Sequence, residues 1–310
     1  MERVLITGVS GLLGSNLAFN LSDRFEVAGT YHSNPMRFNG YECFPMDLKR
    51  ADETWSIIRR VKPQMVIHCA AQTGVDYCEE QPEDAFRVNV EGTESLAKAA
   101  AHAGSKFVYI STDSIFDGET GGYREDAKPR PVNVYAESKL LGERATQSYA
   151  EDHLIIRTNI YGWNVRPKLS LAEWILDGLE NGRQVPAFWD IYFSPILVND
   201  LAEVLAEMVA ADLTGIYHVA AADRCTKFDF ARMVCQTFEK DPELVCSAGS
   251  EEVGLKALRP KDTSLDVTKV SKVLGKSMPT VSDGIRRFRL LKENGYVDRL
   301  RATLTQGEVN

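Results

Sequence analysis

The chain has 310 residues, 44% of them hydrophobic and 26% charged, with a formal charge of −8. That length can bury one large α/β core and support a smaller lobe beside it. The negative charge argues against a nucleic-acid or anionic-membrane face, since both need clustered cations, but leaves room for the phosphates of a small ligand.

The first predicted strand, residues 3–7, follows the initiating methionine directly, without the charged and apolar regions of a signal peptide. Apolar, β-branched runs then recur at 26–31, 42–46, 64–69, 105–111 and 153–158. Helical patterns fall between them near 12–21, 52–61, 83–103 and 133–149. Strands that alternate with helices so regularly imply right-handed crossovers and a parallel sheet. The run Met65-Val66-Ile67-His68-Cys69-Ala70 is apolar enough for a strand covered on both faces.

After Arg157 the rhythm changes. A helix near 170–181 leads to an aromatic loop at 188–193 and the run Pro195-Ile196-Leu197-Val198. A helix capped by Asn199 or Asp200 should run to about Ala211, followed by the apolar stretch 215–220 and a helix near 227–239. We therefore expect an α/β fold: a doubly wound parallel sheet of the Rossmann type with a smaller C-terminal substrate-binding lobe. The dinucleotide-binding part would span 1–162 with a return segment at 194–222. The lobe would span 163–193 and 223–300, with 301–310 as a frayed tail.

The six cysteines lie far apart with no Cys-x-x-Cys pair, which predicts reduced thiols and a cytoplasmic protein. The five histidines show no metal-ligand spacing, so no metal site is expected. No apolar run reaches the ~18 residues needed to span a bilayer. Neither nucleic acid nor membrane is an expected partner, and a homodimer is left open.

Gly8, Gly11 and Gly14 follow the first strand and open the first helix, with Ser10, Leu12 and Leu13 between them. Glycine allows the sharp turn and the close approach of backbone to a pyrophosphate, and the helix N-terminus offers amide protons to the phosphates. This context predicts dinucleotide binding. At the end of the second strand Tyr31, His32 and Ser33, with Arg37 behind them, stand where an NAD site often has a carboxylate. Hydroxyls, an imidazole and a guanidinium suit a 2′-phosphate, so NADP (as NADPH) is the expected cofactor, with NAD as the alternative. Asp47 and Leu48 could hold the adenine, although Asp47 is equally a helix cap. Cys69, Ala70, Ala71, Gln72 and Thr73 end the fourth strand with small residues over which a cofactor could pass.

Tyr135 is the one tyrosine with a lysine four residues later, Lys139. On a helix that spacing puts both on one face, one turn apart. A lysine ammonium and an oxidised nicotinamide ring beside a phenol would favour the phenolate and lower its pKa from about 10. Such a phenol can donate a proton to a carbonyl oxygen as hydride reaches its carbon. Thr112, in Ser111-Thr112-Asp113 at the end of the fifth strand, is placed to bond that oxygen.

With these residues in this order, the chain resembles an extended short-chain dehydrogenase/reductase, and more narrowly the dTDP-4-dehydrorhamnose reductase family, from Val4 to about Phe288. The resemblance is carried by Val66-Ile67-His68-Cys69-Ala70-Ala71-Gln72-Thr73, by Ile110-Ser111-Thr112-Asp113 with Phe116-Asp117-Gly118, and by Asn133-Val134-Tyr135 with Ser138-Lys139-Leu140 and Gly142-Glu143. It implies Thr112, Tyr135 and Lys139 as catalytic residues, and reduction by NADPH or NADH of the 4-keto group of a nucleotide-linked deoxysugar, with a 4-epimerase or a reductase of another nucleotide-sugar as the enzymatic alternative. It also implies substrate contacts at Thr112, Asp113 and Tyr135, with Arg259 toward the diphosphate; a surface salt bridge is the alternative for Arg259. Two departures bear on the sugar: Ser114 replaces an aromatic residue usual two places after the threonine, and 157–162 lacks a tryptophan. The same fold resembles the β-subunit of methionine adenosyltransferase, which binds NADP but serves a partner enzyme.

Overall fold

The computed structural model describes residues 1–36, 41–166 and 168–302. The N-terminal half alternates as expected: β1 (Arg3–Thr7), α1 (Leu12–Leu21), β2 (Glu26–Tyr31), β3 (Glu42–Pro45), α2 (Ala51–Val61) and β4 (Met65–His68). It continues with α3 (Val75–Glu80), α4 (Pro82–Phe86), α5 (Gly92–His102), β5 (Lys106–Thr112), α6 (Val134–Tyr149) and β6 (His153–Thr158). Next come β7 (Ile160–Tyr161), α7 (Leu171–Glu180), β8 (Val185–Phe188), β9 (Tyr192–Phe193), β10 (Ile196–Leu197), α8 (Val198–Ala210) and β11 (Gly215–His218). The chain finishes with β12 (Cys225–Thr226), α9 (Lys227–Thr237), β13 (Val245–Ala248), α10 (Thr268–Leu274), α11 (Val281–Glu293) and α12 (Tyr296–Ala302).

Seven strands form one parallel sheet in the order β11-β6-β5-β4-β1-β2-β3. Successive side chains of a strand point to opposite faces. Leu5, Val66, Phe107, Tyr109 and Ile155 therefore pack in one core layer with Ile57, Ile58, Leu96 and Ala97 from α2 and α5. Val4, Ile6, Ile67, Val108, Ile110 and Ile156 face the other way, into a layer shared with Leu13 and Leu17 of α1 and Leu201 and Leu205 of α8. Being covered on both faces is why these strands read as continuous apolar runs. Strand order reverses between β1 and β4, and such a reversal opens a crevice at the carboxyl ends of the strands.

The later segments weave around this frame. β10 pairs with β7 and β11 with β6, so residues 196–218 return to the sheet region. Outside it, β12 pairs with β9 and β13 with β8. No described helix is long and apolar enough to cross a membrane.

Three local expectations change. The helix expected over 83–103 is wound as a π-helix over Arg87–Glu91, between α4 and α5. Helix α8 begins at Val198 with Leu197 before it, so neither Asn199 nor Asp200 is its cap. Asp200 instead pairs with Arg287 of α11, and Asn199 is buried. Residues 301 and 302 belong to α12; the rest of the expected tail, like Arg37, lies outside the described residues.

Candidate active site

The glycine turn is built by close approach. Gly8 has φ +67°, and a Cβ there would stand 2.8 Å from the Cα of Ala70. At Gly14 a Cβ would stand 2.3 Å from the carbonyl oxygen of Gly8. Only glycine fits either place, so β1, α1 and the strand end after β4 converge on one point. Gly11 caps α1 without a side-chain bond, leaving the helix N-terminus to a ligand. Gly8, Ser10, Gly11, Leu12, Leu13 and Gly14 line a cleft of about 990 Å³, together with Cys69, Ala70, Ala71, Gln72 and Thr73. Burial pushes the Cys69 thiol up to about 12, so it lines the wall as a neutral group. This cradle fits the pyrophosphate of a dinucleotide.

Farther along the cleft stand Tyr31, His32 and Ser33, joined by Asn34 and Lys49, which the sequence pattern did not single out. Asp47 lines the cleft and accepts a bond from the Lys49 amide at 3.0 Å, so it shapes a turn rather than capping α2. Its other oxygen lies 3.9 Å from His32 Nε2. Leu48 packs against Gly92, where a Cβ would lie 2.7 Å away.

Asn89, in the π-helical turn, is the main site residue without a mark in the sequence. Its Oδ1 accepts from the Gln72 amide at 2.8 Å. Its Nδ2 donates to the Gln72 carbonyl at 3.0 Å and to Ser138 Oγ at 2.9 Å. One buried amide thus ties the cofactor-side loop to α6. The available signal was a polar residue inside the predicted helix over 83–103.

α6 starts at its cap, Asn133, whose Oδ1 accepts from the Ala136 amide at 2.9 Å. Tyr135 and Lys139 line the cleft one turn apart, beside Thr112 at the end of β5. Thr112 lies near enough to Tyr135 to favour its phenolate. Lys139 Nζ donates to the Ile110 carbonyl at 2.8 Å and stands 4.1 Å from the Tyr109 ring centre. Burial lowers this lysine to about 7; Glu143 and Cys69 pull it back up. The phenol does not show the lowering expected from Lys139. Burial pushes Tyr135 above its ordinary value, with Thr112 opposing and Asp113 adding to the rise. Tyr135 is therefore held as the neutral acid, the form that can donate a proton.

Behind this layer, Arg157 bonds Glu143 through Nε (2.9 Å) and Nη2 (2.8 Å), and Ser111 Oγ donates to the same carboxylate at 2.5 Å. The pair is buried and joins β5, α6 and β6.

Of the four substrate contacts expected, Thr112 and Tyr135 face the cleft. Asp113 does not: it is 1% exposed. Its Oδ1 accepts from Thr112 and Ser114, and its Oδ2 from Asn159 (2.9 Å) and Thr263 (2.7 Å). With both oxygens bonded inside the protein, it positions the strand end rather than touching a ligand. Arg259 lines the cleft and also bonds Asp76 at 2.8 Å, so both readings of it have a basis. Ser114 and Ile160 line the wall, whereas the nearby Trp163 stacks on Phe288 at 4.0 Å in the core. Asn159, Lys227 and Thr263 also line the cleft.

Known proteins are similar to this one over nearly the whole chain. A probable low-salt glycan biosynthesis reductase of Haloferax volcanii is 33% identical across 90% of this chain and 95% of its own. The methionine adenosyltransferase 2 subunit beta of Xenopus tropicalis is 32% identical across 90% of this chain and 84% of its own. A solved dTDP-4-dehydrorhamnose reductase of Bacillus anthracis, in complex with NADP, is 29% identical with a TM-score of 0.81, covering 93% of this chain and 99% of that one. The pattern of the RmlD substrate binding domain matches residues 1–291. By that match, the chain belongs to the RmlD substrate binding domain family, an extended short-chain dehydrogenase/reductase.

Proposed function

We propose that this protein is an NADPH-dependent reductase of the 4-keto group of a nucleotide-linked deoxysugar, with dTDP-4-dehydro-L-rhamnose as the first substrate to test. One observation carries the reading: Thr112, Tyr135 and Lys139 line the same cleft as the glycine cradle. The NADP-bound relative and the glycan reductase support it. For the 2′-phosphate, His32 and Ser33 follow β2 in a segment without a carboxylate of its own, with Asp47 reaching His32 Nε2 from the next strand end at 3.9 Å. NAD is the alternative cofactor.

When bound, the reduced nicotinamide supplies hydride to the ketone carbon. With substrate bound, Thr112 would turn its one hydroxyl proton from Asp113 Oδ1 to the ketone oxygen. The neutral Tyr135 phenol donates its proton there. Lys139, anchored by the Ile110 carbonyl, keeps two N–H donors that would hold the ribose hydroxyls of the cofactor. Arg259 faces the diphosphate from the rim, and Asp113 keeps Thr112 in place. The six free thiols suit a cytoplasmic setting.

The test is NADPH consumption with dTDP-4-keto-6-deoxy-L-mannose generated in situ. Tyr135→Phe should reduce kcat by about 10²- to 10⁴-fold, the ordinary share of a general acid, while NADPH binding persists. NADPH binding without turnover would remove the rhamnose assignment. The relative that is a subunit of methionine adenosyltransferase then supports a second reading, a regulatory subunit, to be tested by co-purification with a methionine adenosyltransferase catalytic chain.

A further inference from the structure

The substrate end of the cleft holds a cation that the proposed reaction leaves unused. Lys227 is the first residue of α9, directly after the cap Thr226. Its backbone is fixed: its amide donates to the Ile191 carbonyl at 3.0 Å, and Thr226 pairs with Tyr192 across β12 and β9. Its ammonium stands 4.3 Å from the Phe193 ring centre on the cleft wall. It forms no hydrogen bond or ion pair with any described residue.

Such a placement leaves the ammonium open to a ligand. A cation in the first helical turn meets the positive end of the helix dipole. Lys227 is partly exposed on the cleft wall, so the acceptors its ammonium needs come from whatever fills the cleft, water or ligand. Burial lowers the Lys227 pKa; Asp113 and Cys225 oppose that fall. Three other cations of the cleft differ. Lys49 pairs with Asp84 at 3.2 Å, Arg259 with Asp76 at 2.8 Å, and Lys139 is held by Ile110. The side chains of Arg166 and Lys168 also lack partners among the described residues, but their segment is held to α1 by Asn16, which donates to the Trp163 carbonyl.

We propose that Lys227 is a specificity-determining contact to the glycosyl unit, its ammonium donating to hydroxyl oxygens of the sugar whose keto carbon faces Tyr135 and Thr112. The proposal rests on the nucleotide-sugar reading above. Seating the ammonium on an aromatic face steadies the cation without consuming its three N–H donors. Asp113, sealed behind the wall, then acts in a second way, because its charge helps to keep Lys227 protonated.

The experiment titrates the full chain calorimetrically, with NADP present, using dTDP and dTDP-L-rhamnose as separate probes. Wild type should bind the sugar nucleotide more tightly than dTDP. Lys227→Met should lose about 10- to 100-fold affinity for dTDP-L-rhamnose, the range of a charged hydrogen bond, with dTDP binding unchanged. Lys227→Arg, which keeps the charge, should retain most of the sugar's contribution. No loss in Lys227→Met, an equal loss for both probes, or a wild type that binds the two equally would overturn the contact. A wild type that binds neither probe would overturn the nucleotide-sugar reading itself, and this contact with it.

Discussion

Lys139 sits at the boundary between charged and neutral states, which makes its role measurable. Burial has brought it to about 7 from an ordinary 10.5, so the ammonium persists below that pH and is lost above it. If that charge orients the cofactor ribose, kcat/KM for reduction falls as pH rises through about 7. Lys139→Met should remove that limb from the residual activity; a flat wild-type profile from pH 6 to 9 would contradict the assignment. Tyr135 and Lys139 were legible because a four-residue spacing is geometry that a helix enforces. Asp113 was misleading because its acceptor bonds come from Asn159 and Thr263, which lie 46 and 150 residues away in sequence. Lys227 was hidden because a lysine at a helix start reads as a solvated charge until Phe193 is seen beneath it.

Among the elements, the parallel strands were the most legible. Burial on both faces leaves an unbroken apolar signature that needs no partner to be recognised. The pairing of β8 with β13 left no such mark, because strands of four residues 60 apart share register only through the fold. The π-helical turn was hidden for a related reason: its apolar spacing resembles an α-helix, and the bonds of Asn89 to Gln72 and Ser138 join residues far apart in sequence. Between elements, the Glu143–Arg157 pair is the bond most exposed to mutation. Glu143→Gln keeps the shape but leaves a buried guanidinium without its counter-charge. Losing one partner of a buried pair costs about 3–5 kcal/mol. Urea unfolding should show that loss in the midpoint with little change in slope.

At the scale of the molecule, two histidines set an acid limit. His68 lies between Thr7 and Thr93, and His218 beside Arg157; burial, with the nearby cations, lowers both to about 3. An unfolded histidine titrates near 6.5. Between those values the unfolded chain binds protons that the folded chain refuses. Stability therefore falls as pH drops below about 6.5, by up to ~1.4 kcal/mol per pH unit for each histidine. Urea midpoints at pH 7.5, 6.0 and 5.0 should decrease in that order, and constant midpoints would contradict the shifts. The bond from Thr263 to Asp113 carries a further consequence, in time rather than energy. A ribosome has made Thr112, Tyr135 and Lys139 before half the chain exists, and domains generally fold from the N-terminus as they emerge. Yet the strand end that carries Thr112 is clamped by a hydroxyl synthesised 151 residues after it, as the numbering shows. The nascent protein can thus present a nearly finished dinucleotide cradle while its reaction centre stays unaligned, ripening only once the last fifth of the polypeptide has arrived.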